Sequence, residues 1–103
     1  MLSHLGNIKP LDGSNYSYWK EKIEMILGLS DLDFALRNAR PTPPQVGEPD
    51  YDHKVMKYDL DKAKWEQSNR KCLMVIKYSI VESIKGAITE CDTAKEYLER
   101  VAA

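Results

Sequence analysis

Two histidines, two cysteines and no glycine-rich stretch leave this 103-residue chain with little of the material from which catalytic and metal sites are built. His4 and His53 stand alone, without HxxxH or HExxH spacing around either. Cys72 and Cys91 have no CxxC spacing and no neighbouring histidine, so they make no zinc site. Cys72 falls in an apolar helical run, where a thiol behaves as a small hydrophobe, and reduced thiols are expected rather than a disulfide. A phosphate-cradling glycine loop and a GxSxG elbow are both absent. Asp-x-Asp spacing occurs at Asp31/Asp33, Asp50/Asp52 and Asp59/Asp61, but no further ligands surround any pair. The expectation is a protein with no catalytic residues, no metal and no cofactor.

An excess of one charge is lacking too. The formal net charge is -1, with 15 basic and 16 acidic side chains, so no global field draws the chain to nucleic acid. Residues 1–53 carry a net -3 and residues 54–103 a net +2, a bias too small to make an RNA-binding face. Tyr18-Trp19-Lys20 and Trp65 to Lys71 interleave aromatics with bases, but both tryptophans fall on apolar faces, which argues for packing. No apolar run approaches the roughly twenty residues of a membrane span, and no apolar segment follows an N-terminal basic cluster. A soluble, cytoplasmic protein without membrane contact is expected.

Strand-like alternation is the last absence. Apolar residues recur at spacings of three and four, which predicts an all-α fold: a compact bundle of about five helices. At this length the chain is one domain, with residues 1–10 an irregular lead-in and 11–103 the folded body. Leu2, Leu5 and Ile8 in the lead-in are candidates for surface or interface packing, and Leu11 for a hydrophobic staple. Asp12-Gly13 is turn chemistry, and Ser14 or Asn15 is placed to cap a helix over about 15–28 that Gly28 ends. Its inward face is Tyr16, Trp19, Ile23, Ile26 and Leu27. A second, thinner stripe of Tyr18, Lys22, Met25 and Leu29 is the candidate protein interface.

Ser30-Asp31-Leu32-Asp33 predicts the start of a short second helix ending by Ala39. Pro41, Pro43, Pro44 and Pro49 with Gly47 then forbid helix from 40 to about 52, giving a proline-rich loop between the second and third helices. Such a loop is a stiffened connection or a docking segment for a partner's aromatic groove. The third helix, about 53–78, opens on a solvated, charged face with Asp59 and Lys62 as a pair. It buries Trp65, Cys72 and Ile76 later, with Trp65 the large core partner of Trp19. Ser79-Ile80-Val81-Glu82 starts a fourth, short element weakened by Gly86. Thr93-Ala94-Lys95-Glu96 is a capping box for a fifth helix through Tyr97, Leu98 and Val101. The core is therefore expected to include Tyr16, Trp19, Ile23, Trp65, Ile76 and Leu98. Helical pattern persists to the last residues, which raises the expectation of a piece of a longer polypeptide.

The order of these features resembles the N-terminal region of Gag polyproteins from copia-type LTR retrotransposons. The resemblance is carried by Leu11-Asp12-Gly13-Ser14-Asn15-Tyr16, then Trp19-Lys20, a proline-containing loop, Trp65 seven residues before Cys72-Leu73 and Ile76, and Thr93-Ala94-Lys95-Glu96. It spans residues 11–101, and departs where Tyr97-Leu98 replace the alanine and tryptophan usual in that family. It implies a capsid-like helical domain that self-assembles into virus-like particles and carries no catalytic residues. RNA is handled by a zinc knuckle further along the family's polyprotein, so contact with RNA here is indirect. A domesticated module that binds peptides or host proteins through the proline-rich loop, and no longer assembles, is the rival expectation.

Overall fold

The computed structural model describes residues 8–102, and the expectations for Leu2, His4 and Leu5 lie outside the described residues. Five helices follow in order: α1 Tyr16–Leu29, α2 Phe34–Arg37, α3 Tyr51–Tyr78, α4 Glu82–Lys85 and α5 Ala94–Ala102. The fold is an all-α bundle. Its core joins Trp19, Ile23 and Leu27 of α1 to Cys72, Val75 and Ile76 of α3 and to Ala94, Tyr97 and Leu98 of α5. The first half of α3 runs past this bundle, so the molecule measures 53 × 28 × 18 Å.

The turn before α1 is built by side chains. Gly13 has φ 94°, a value that glycine adopts without steric cost. The Asp12 carboxylate accepts from the Ser14 amide (3.0 Å) and hydroxyl (2.7 Å), and these bonds hold its pKa below the ordinary value of 3.8. Asn15 occupies the N-cap position, but its side chain does not cap α1. It reaches backward instead, accepting from the Asp12 amide (3.1 Å) and donating to the Pro10 carbonyl (3.0 Å).

Leu11, expected to staple the helix, is buried and pairs with the segment after α3. Its amide donates to Ser79 O (2.9 Å) and its carbonyl accepts from Val81 N (3.2 Å), a single parallel bridge to Ile80. Ser79 is therefore the turn that closes α3, Ile80 the bridged residue and Val81 extended, none of them the start of a helix, and α4 is one turn beginning at Glu82.

Gly28 lies inside α1. The end is made by Asp31 at φ 55°: Leu32 N donates to Leu27 O (2.8 Å) and Asp31 N to Gly28 O (3.1 Å), a Schellman pair around a left-handed aspartate. Asp31 closes α1 and so cannot begin α2, which shortens to the single turn Phe34–Arg37. Ser68 of α3 fastens that turn, accepting from the Ala35 amide (2.9 Å) and donating to the Leu32 carbonyl (2.7 Å).

Residues 38–50 contain no helix. The loop is held at both ends: Asn38 O accepts from Trp65 Nε1 (2.8 Å), Arg40 sits 4.6 Å from the Trp65 ring centroid, and Glu48 pairs with Lys54 (3.4 Å). Chain connectivity then makes the loop retrace the first half of α3. Pro41 and Pro44, one polyproline turn apart, are half-buried.

At the far end, Asn69 of α3 starts α5. Its amide group donates to Asp92 O (2.8 Å) and its carbonyl oxygen accepts from Ala94 N (2.7 Å). The Thr93 hydroxyl accepts from Glu96 N (3.1 Å), as a capping box requires. The Glu96 carboxylate pairs forward with Arg100 (3.6 Å). Tyr97 and Leu98 are both buried, so the shift of the aromatic by one position leaves the last helix well packed.

Of the six expected core residues, Trp19, Ile23, Ile76, Trp65 and Leu98 are buried, and Tyr16 is half-buried against the core. Trp65 does not pair with Trp19. It lies outside the cluster that holds Trp19, under the loop and its Arg40.

Candidate protein interface

The inward face of α1 fixes the roll of the helix, and thereby which side chains look outward. Trp19 is fully buried, and its indole N–H is shared between Ser79 O (3.1 Å) and Ser79 Oγ (2.9 Å). The Ser79 hydroxyl in turn donates to Ile76 O (2.7 Å). With Ile23 and Leu27 also at 0% exposure, α1 has little freedom to rotate.

A stripe about a third of a turn round the helix is consequently presented to solvent. Tyr18 is 44% exposed, Met25 49% and Leu29 67%. Lys22 sits among them, half-buried, with its ammonium 5.6 Å from the Tyr18 ring centroid. All four expected interface residues thus form one line along the helix. Beside them a shallow depression is lined by Tyr16, Ser17, Lys20, Glu21, Glu24 and Met25, with Lys20 and Glu24 paired across it at 3.4 Å. The chemistry is that of a contact surface: apolar side chains of moderate size with a few mobile charges at the rim.

The titratable groups that depart from ordinary values are structural. Burial pushes the Cys72 thiol up to about 11, and the thiol donates to the Leu32 carbonyl. Burial also raises Cys91 and Tyr97. The Tyr97 ring lies beneath Lys77 (5.4 Å), and its buried hydroxyl has no hydrogen-bond partner among the described residues. Both cysteines are free. No three His, Cys, Asp or Glu side chains converge as metal ligands among the described residues. None of the described helices is long and apolar enough to cross a membrane.

The sequence reading missed four exposed apolar residues on α3: Met56 (68%), Leu60 (73%), Met74 (60%) and Tyr78 (74%). The signal was present as two pairs at four-residue spacing, but charged neighbours diluted it. The expected Asp59–Lys62 pair does not form; Lys57 pairs with Asp61 at 2.7 Å instead. Comparison with protein-family models, curated proteins and solved structures finds no match to this chain.

Proposed function

We propose that this chain is a capsid-type helical domain of a copia-type retrotransposon Gag, acting in the cytoplasm through protein–protein self-assembly into virus-like particles. One observation carries the reading: Tyr18, Met25 and Leu29 stand exposed in line on a helix whose other face is locked by Trp19. The ordered motifs from Leu11 to Glu96 support it, since their physical work is to make that locked helix and the bundle behind it. A patch on one copy that meets a different patch on the next generates rings or open lattices. Weak contacts of this kind suit a coat that must assemble and come apart.

The rival reading gives the work to the proline-rich loop as a docking segment for a peptide-binding or host protein. Pro41 and Pro44 weigh against it, because the face they share is half-buried and the loop is tied to α3 at Trp65 and Lys54.

Light scattering across a concentration series tests the proposal. The apparent mass is expected to climb beyond that of a pair, and Tyr18→Glu with Met25→Glu to stop that growth while helical circular dichroism is unchanged. Growth unaltered by the double substitution removes the α1 surface from the assembly. A chain that stays monomeric at every concentration and captures a proline-groove partner favours the rival.

A further inference from the structure

Along α3, Met56, Leu60, Ala63 and Gln67 follow one another at spacings of four, three and four, the a/d alternation of a coiled coil. With Leu60 and Gln67 at a and Met56 and Ala63 at d, the helix divides cleanly. Positions b, c and f include Ser68, Asn69, Cys72, Val75 and Ile76, all buried in the chain's own bundle. The a and d residues from 56 to 67 are all exposed. The seam therefore points away from the body of its own molecule.

The flanking charges have an order that composition alone would not give. The g positions are Asp52, Asp59 and Glu66; the e positions are Lys57, Lys64 and Lys71. In a parallel pair, g of one helix meets the following e of the other, so every flanking contact is acid to lysine. An antiparallel pair would set g against g and e against e, placing acids on acids and lysines on lysines. We propose that the first half of α3 is a second self-association surface, pairing in parallel with α3 of another copy of this chain about a two-fold axis. Asp52, Asp59 and Glu66 then face Lys57, Lys64 and Lys71 of the second copy.

Several features fit that occupant. The half of α3 that would pair is the half that overhangs the bundle, so the two bodies sit on opposite sides of the pair without meeting. Gln67 supplies a polar a position of the kind that fixes register. Arg70, the next d residue, would face its own copy and so ends the seam. The Lys57–Asp61 ion pair is solvent-accessible, with the Lys57 side chain 75% and that of Asp61 43% exposed, and competes only weakly. Two heptads make a weak, reversible pair, formed at high chain concentration. This inference stands on the register and charges of α3 and does not need the Gag reading. Joined to the α1 surface, a two-fold contact turns linear growth into a branching lattice.

A cysteine at a d position reports the pairing. In the full chain carrying Cys91→Ser and Ala63→Cys, mild oxidation is expected to give a 63–63 disulfide-linked dimer, while buried Cys72 stays unreacted. Leu60→Glu is expected to abolish the crosslink, and Lys57→Glu with Lys64→Glu to weaken sedimentation-derived dimer affinity by more than about tenfold. Tyr18→Glu with Met25→Glu should leave the crosslink untouched, which separates this surface from that of α1. No 63–63 dimer from a chain with normal circular dichroism overturns the proposal. So does a crosslink indifferent to Leu60→Glu, or one that forms only between a chain carrying Ala63→Cys and a chain carrying Leu60→Cys, the a-to-d contact of the antiparallel arrangement.

Discussion

The two halves of α3 share one continuous helix and differ in almost everything else. From 65 to 78 it buries Trp65, Ser68, Asn69, Cys72, Val75 and Ile76. From 51 to 64 no residue is fully buried, and only Tyr51, Val55, Tyr58 and Asp61 are half-buried. The second half is held by a core that other helices complete. The first is held by continuity with the second, because extending a formed helix is far easier than starting one. The loop tied at Asn38, Arg40 and Glu48 and the Lys57–Asp61 pair add to this. A helix can thus be well formed and yet leave a full face for another molecule.

Breaking the held half has the largest effect. Trp19→Ala removes a fully buried indole and its N–H bonds to Ser79, whose carbonyl keeps only the Leu11 amide; a loss of about 3–5 kcal/mol is expected from urea denaturation, enough to unfold much of the population. Asn69→Ala orphans the Ala94 amide at the start of α5 and should cost about 1–3 kcal/mol by the same measurement. Gly13→Ala meets only ordinary contact, with Ile84 Cδ1 at 3.6 Å, so its cost is the left-handed backbone alone, about 1 kcal/mol. On the overhanging half, Met56→Glu should change stability by less than about 0.5 kcal/mol. A Met56→Glu loss of several kcal/mol would erase the distinction between the halves.

Titration sharpens the same contrast. An unfolded Cys72 thiol ionises near 9, whereas the buried one holds its proton to about 11. Below 9 both states keep the proton, and between about 9 and 11 only the unfolded state releases it. Stability should therefore fall across that window, and Cys72→Ala should flatten the fall. A thiol reagent at neutral pH is expected to find Cys91 first and Cys72 only on unfolding.

Much of the bundle was legible in the sequence. Helical periodicity gave the inward face of α1, Thr93 and Glu96 gave the start of α5, and the prolines gave the break before α3. The outward line of Tyr18, Lys22, Met25 and Leu29 was readable because one face of α1 is densely apolar, so the other stands out. What was not legible depended on distance in space. Asn15 looks like a helix cap until Pro10 folds back to take its amide, and Leu11 looks like a staple until Ser79 and Val81 arrive beside it. Two tryptophans on apolar faces suggest one core, yet they occupy separate sites. On the first half of α3 the outward residues are as apolar as the inward ones, so periodicity alone could not tell seam from core.

Hydrogen exchange of the α3 amides across protein concentration joins the fold to the proposed assembly. In dilute solution, amides at 72–78 are expected to exchange slowly and those at 52–64 much faster, since only the former lie in the core. As concentration rises, the fast set should gain protection while the slow set stays unchanged. Amides at 52–64 that are as protected as the core in dilute solution, or that stay unprotected however concentrated the sample, would contradict a helix whose outer half is kept for another copy of the chain.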